Sequence, residues 1–327
     1  MITRIVNAKE GLDEAVSLIK SGELVVFPTE TVYGLGANAY DAAAVKKIFE
    51  AKGRPQDNPL IVHISRVEEV RDIARDIPDV FFTLAEHFMP GALTVVLPRS
   101  ERIPDIVTAG GDTVAVRMPK SPVARELISR SFPLAAPSAN RSKHVSPTSA
   151  RHVFDDLDGR VPLILDGGEC EVGIESTVLD LTSGEPVILR PGAVTAQMLA
   201  PFLGVAPGSG KVIGTAKSPG MKYEHYAPTA DAYAASSPAV AALFYDKCVK
   251  EGRRPVLLFG DGHAAELGDR ERISLGESVD DFMHSVYSAL RTAEKEHDVI
   301  IVEMLEGEGR AASVMNRVMK AVGGKVL

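Results

Sequence analysis

Cysteine is nearly missing from this chain: Cys170 and Cys248 are its two thiols, far apart and in neither a metal-ligand nor a disulfide spacing. That excludes a stapled secreted scaffold and points to a reducing compartment, the cytoplasm. Long apolar runs are also missing, none approaching the roughly 18 residues that a membrane span needs. The N-terminal MITRIVNAKEGLDEAVSLIK is broken by charges before any signal-peptide core, so no export signal and no membrane partner are expected. Positive charge is in deficit, with 36 Lys+Arg against 44 Asp+Glu and a net charge of −8, so nucleic acid would have to meet a local patch. No GxxxxGK[ST], HExxH, CxxC or Ser-His-Asp order occurs, which disfavours a P-loop ATPase, a zinc hydrolase and a serine hydrolase.

What is present suits two folded domains: 327 residues, 45% of them hydrophobic. Leu12, Ala15, Val16 and Ile19 have helical spacing, Gly22 stops that helix, and Leu24 to Phe27 reads as a buried strand ended by Pro28. A helix is expected over 42–51, entered at Asp41 and left at Gly53, and a strand over 60–64. Further strands are expected at 93–97, 113–116, 134–136, 162–165, 177–181 and 187–189, with helices near 66–75, 79–88, 121–130 and 149–156. Strands outnumber an even alternation with helices, and the SGEP turn between two of them suits a hairpin, so the sheet is expected to be mixed and twisted. Between Phe202 and Thr229 the text turns Gly- and Pro-rich, a linker whose Lys222, Tyr223, His225 and Tyr226 suggest an ordered, functional loop. After it, helices near 238–250, 278–296 and 311–321 and strands at 255–259 and 299–302 describe a small open-sheet domain. Its GDG turn is too common to count as a nucleotide site.

Chemistry concentrates in Phe27 to Ile64, which holds a strand, two glycine-spaced turns, the hydroxyls of Thr29, Thr31 and Tyr33, the cations Lys52 and Arg54, and His63. Lys46 and Lys47 read as a solvated helix face favoured by the helix dipole. Lys52 and Arg54 flank Gly53 in a non-helical turn, where alternate side chains converge on one polyanion. His63, on an apolar strand, is either a satisfied core histidine or a ligand-facing one. Ala136-Pro137-Ser138-Ala139-Asn140 puts hydroxyl and amide groups at the carboxyl end of a strand, as an Asx turn or as a ligand site. Ser146 and Thr148 bracket Pro147 and equally suit a helix N-cap. Arg117 ends an apolar strand and needs a partner, either a protein or a ligand carboxylate. Ser176 and Thr177 form a hydroxyl pair at a loop-to-strand junction, and Arg190 precedes a Pro-Gly turn. Four such cations suffice for a triphosphate and an amino-acid carboxylate together.

In order along the chain, PTETVYGLG, KGRPQDNPLIVHI, TVAVRMP, APSANRS, ESTVLDL, ILRPG and SPGMKYEHYAP resemble the two-domain, Sua-type threonylcarbamoyl-AMP synthases. The resemblance covers nearly the whole chain, down to VMNRVMKAVGG. It implies a YrdC-like catalytic domain over 1–201, an ordered linker or lid over 202–230, and a smaller Rossmann-like open α/β domain over 231–327. The implied reaction turns L-threonine, bicarbonate and ATP, with Mg²⁺ on the phosphates, into threonylcarbamoyl-AMP and pyrophosphate. The product would pass to the tRNA threonylcarbamoyl transferase machinery, with at most a weak contact to tRNA or double-stranded RNA.

The family's catalytic tetrad falls on Lys52, Arg54, Ser138 and Asn140. Threonine-site positions fall on Thr31, His63, Arg117, the backbone of Ala136, and Ser176; nucleotide-site positions fall on Arg54, Asn58, Thr113, Ser138, Ser146, Arg190 and Tyr226. Such a reaction, in which a carbamate is held in line with a phosphorus, calls for positioning and charge neutralisation more than for a dedicated nucleophile. Two other readings stand beside it: an RNA-binding module, disfavoured by the acidic charge, and a related scaffold acting on carbamoyl phosphate, which would carry extra acylphosphatase or zinc-finger segments.

Overall fold

The computed structural model describes residues 1–210 and 227–327. These divide into two compact units: Met1–Ser142, Pro147–Glu171 and the chain from Glu175 in one, and Lys143–Ser146, Val172–Ile174 and the C-terminal hundred or so residues in the other.

Among the described residues of the first unit, eleven strands share one sheet. In chain order they are β1 (Arg4–Asn7), β2 (Val25–Phe27), β3 (Gly34–Asn38), β4 (Ile61–His63), β5 (Leu93–Pro98), β6 (Thr113–Arg117), β7 (Leu134–Ala136), β8 (Leu163–Asp166), β9 (Thr177–Asp180), β10 (Val187–Arg190) and β11 (Gly208–Ser209). Their order across the sheet is β1-β8-β2-β3-β7-β4-β6-β5-β9-β10-β11. Parallel pairs (β4 with β6, β5 with β9) alternate with antiparallel ones (β4 with β7, β5 with β6), so the sheet is mixed. The expected hairpin is there, β9 running antiparallel to β10.

The period-2 alternation of the central strands separates two faces. Val62, Val95, Val116, Ala135 and Leu179 point to a large core completed by the helices Ala42–Lys52, Asp79–Phe88, Ala150–Leu157 and Ala196–Leu203. On the other face, the helices Leu12–Lys20 and Pro122–Arg130 cover one end of the sheet, burying Ile19, Phe27, Leu127 and Leu165. At roughly 1.5–3 kcal/mol per fully buried large aliphatic side chain, these two layers dominate the stability of the unit. Beyond those two helices the same face carries a small apolar floor of Ile61, Val96, Ala115 and Val178, with Leu189 packed against it.

Two expectations change. Gly34 and Gly36 lie within a strand, antiparallel to β2, and make no turn. They are glycines because the Phe27 ring lies on the backbone: a Cβ would come within 2.9 Å of that ring at Gly34 and 2.7 Å at Gly36. The segment after Phe202 is also not uniformly irregular, since Gly208–Ser209 pairs in parallel with β10.

The second unit has its own sheet of four parallel strands, β12 (Asp231–Ala235), β13 (Pro255–Phe259), β14 (Arg272–Ser274) and β15 (Val299–Glu303), in the order β12-β15-β13-β14. The apolar runs of β13 and β15 are buried throughout, as expected of central strands of a parallel sheet. This is the open α/β domain that the sequence leads one to expect.

Candidate active site

The backbone pairing that builds the sheet also gathers the motifs. His63 on β4 registers with Arg117 on β6, and Arg117 lies one position beyond the Val95–Val116 pair, opposite Thr94 on β5. His63, Arg117 and Thr94 therefore form a polar row on the face whose next row is the apolar floor. Thr94 Oγ1 and Ser176 Oγ share a hydrogen bond of 2.7 Å, and Arg190 donates from Nε to Ser176 O (3.0 Å) and from Nη2 to Ser176 Oγ (3.1 Å). Gly192 allows this: a Cβ there would stand 2.5 Å from Thr177 N and 2.8 Å from Glu175 O. Ser176 and Arg190, expected on opposite sides of the site, are thus directly joined.

Arg117 meets a protein carboxylate. Its Nη2 donates to Glu30 Oε1 at 2.8 Å and its Nε to Gly91 O at 3.2 Å. The pair is buried, with side chains 5% and 4% exposed. Burial acts to raise the Glu30 carboxyl, but the Arg117 charge and hydrogen bonds from Arg117 and backbone N–H groups hold it below the ordinary carboxylate value. Sequence reasoning missed Glu30, although it lies within PTETVYGLG. The available signal was that a buried arginine requires an acid.

His63 is buried, its ring edge-on to Phe27 with centroids 5.9 Å apart. Burial, and then the neighbouring Arg117 charge, lower its imidazole to about 3. It is neutral near pH 7, with Nδ1 3.2 Å from Ile61 O. Thr31 is fully buried, its Oγ1 2.9 Å from Thr29 Oγ1.

The turn end of the site is built by a second pairing. Leu35 N donates to Pro137 O and Ala139 N to Tyr33 O, so the TVYG and PSAN segments are bound backbone to backbone. Lys52 is the last residue of its helix, not part of the turn, with Gly53 in the left-handed conformation as C-cap. Its buried ammonium donates to Ser138 O, to Asn140 O and, at 3.3 Å, to Asn140 Oδ1. Ser138 Oγ donates to Asn140 Oδ1 at 2.5 Å, and Ser142 N to Lys52 O at 2.9 Å. Arg54 Nη2 meets Asn58 O and Pro59 O, both at 3.2 Å. Asn58 is 1% exposed, and among the described residues its Oδ1 has no hydrogen-bond partner.

Ala136 registers with Ile61 between the two ends. Thr113 starts β6, four residues before Arg117 and so about 13 Å from it along the strand. Ser146 is fully buried and groups with the second unit; the helix cap it was weighed against is Ser149, which accepts from His152 N. Tyr226, with Lys222, Tyr223 and His225 of the expected lid, lies outside the described residues.

The sequence profile of the family described as Telomere recombination (Sua5, YciO, YrdC) matches residues 17–192, and that of the threonylcarbamoyl-AMP synthase C-terminal domain matches residues 194–323. The chain is 44% identical to the threonylcarbamoyl-AMP synthase of Pyrococcus abyssi, covering 100% of this chain and 99% of that one. It is also 44% identical to that of Bacillus subtilis, covering 96% and 93%. Its structure resembles the crystal structure of P. abyssi Sua5 complexed with L-threonine, with a TM-score of 0.92 and 43% identity over 100% of this chain and 98% of the other.

Proposed function

This chain belongs to the Sua5/YciO/YrdC family as a two-domain, Sua-type threonylcarbamoyl-AMP synthase, and we propose that it joins L-threonine, bicarbonate and ATP into threonylcarbamoyl-AMP, releasing pyrophosphate and water. It is in this reading a nucleotidyltransferase that supplies tRNA threonylcarbamoylation from the cytoplasm. The observation that carries the reading is the polar row at the strand ends. It offers a guanidinium, a neutral imidazole and a hydroxyl to a small amino acid, and β7, which pairs with β4, leads into a cation-bearing turn for phosphates. Among the described residues no helix is long and apolar enough to cross a membrane.

Arg117 Nη1, which has no protein partner among the described residues, takes the threonine carboxylate. In this reading His63 and Thr31 meet the substrate hydroxyl and amine, and Ser176 and the Ala136 backbone close the pocket. A neutral histidine suits an amine that must lose its proton before it attacks bicarbonate-derived carbon. In this reading Arg54, Arg190, Asn58, Thr113 and Ser138 hold the nucleotide, Lys52 and Asn140 shape the turn that meets its phosphates, and in-line placement of the carbamate supplies the rate.

Among the described residues no cluster of three or more His, Cys, Asp or Glu is built to hold a metal ion. In this reading Mg²⁺ is an ion carried by the triphosphate oxygens, where it would neutralise charge. The test is pyrophosphate release from ATP in bicarbonate buffer. Release should require threonine and be much weaker with serine; release that is indifferent to the amino acid would overturn the reading.

A further inference from the structure

We propose that Glu30 is a positioning residue of the amino-acid site: it fixes the guanidinium of Arg117 so that one terminal nitrogen, Nη1, is left for the substrate carboxylate. The inference rests on reading Arg117 as the carboxylate clamp. Arginine is planar, so two anchored nitrogens define the plane and direction of the third. Here the anchors are Nε on Gly91 O at 3.2 Å and Nη2 on Glu30 Oε1 at 2.8 Å. Gly91 is itself held to the end of β6 by its N–H on Met118 O. The second oxygen of Glu30 accepts from Lys120 N at 2.9 Å, which ties the carboxylate to the chain as it leaves β6. Glu30 stands between Thr29 and Thr31, whose hydroxyls are bonded to each other, so one loop carries both the brace for Arg117 and a hydroxyl of the pocket.

An arginine without this brace would sample several rotamers, and each bound carboxylate would have to select one of them. A carboxylate in that place also limits the net charge that the empty pocket must bury. Glu30 touches no reacting atom; its effect passes through Arg117.

The experiment compares E30Q, R117A and the double variant by steady-state kinetics and by calorimetric titration of threonine. E30Q keeps the shape and one acceptor oxygen but loses the charge, and should raise the threonine KM and dissociation constant about tenfold while the ATP KM stays within about twofold. In the R117A background the same change should add less than about twofold, because nothing remains to position. A threonine KM that is unchanged or lower in E30Q overturns the proposal, as does an effect that multiplies fully in the double variant. If R117A itself moves both KM values equally, the clamp reading fails, and that failure is distinct from a normal R117A with a silent E30Q. Should E30Q melt, E30D keeps the charge one methylene further back, and an unchanged threonine KM there overturns the proposal equally.

Discussion

The two ends of the candidate site hold their cations differently. At the strand end, Arg117 is met by a carboxylate, Glu30. At the turn end, Lys52 and Arg54 are met by carbonyl oxygens of Ser138, Asn140, Asn58 and Pro59. A carboxylate cancels the charge it holds, whereas a carbonyl dipole orients a cation. The first arrangement suits one end of an amino acid that carries its own opposite charge; the second aligns two cations along one turn.

Arg117→Ala should break the first end most severely. It strands the buried Glu30 carboxylate at a cost of about 3–5 kcal/mol in stability and should raise the threonine KM far more than the ATP KM. Thermal melts and paired KM measurements check both. Acid should then undo the same end. His63 has a folded-state value of about 3, below its ordinary 6.5, so its contribution is fully present above pH 6.5 and fades as pH falls toward 3. Glu30, lowered from 4.5, also loses its contribution as pH falls through its folded value. Stability followed by urea titration should therefore decline on the acid side by at most about 1.4 kcal/mol per pH unit per group, and His63→Gln should flatten the upper part of that decline.

At the turn end, Lys52→Met removes charge-assisted hydrogen bonds to the Ser138–Asn140 turn. It should cost about 2–3 kcal/mol of stability and lower kcat for pyrophosphate release without a selective rise in the threonine KM. A selective threonine effect would erase the distinction between the two ends. Ser138→Ala is the smallest test: one hydrogen bond to Asn140, about 1 kcal/mol, read as a modest fall in kcat with the melting temperature nearly unchanged.

Much of this was legible because the central strands are β-branched runs cut by proline and glycine; Ile61–His63, Thr113–Arg117 and Val187–Arg190 announce themselves, and each ends in the polar residue that reaches the site. β1 and β14 did not, being short strands at the sheet edges with little buried side-chain pattern to read. β3 was hidden by Gly34 and Gly36, since the Phe27 ring that requires them belongs to another strand. Glu30 was illegible for a similar reason: an acid among threonines resembles a solvated loop until Arg117, 87 residues later, is brought against it. The grip of Lys52 on Ser138 spans 86 residues and has no local signature.

The place of β8 in the sheet has a consequence for how the chain is made. β8 (Leu163–Asp166) lies between β1 and β2, pairing with both, so the two earliest strands cannot bond to each other. A nascent chain that has completed Val25-Val26-Phe27 must synthesise 136 more residues before Leu163 appears, which at about 5–20 residues per second is roughly 7–27 s. Over that interval an apolar strand edge stands open, exposed to mispairing until β8 is made.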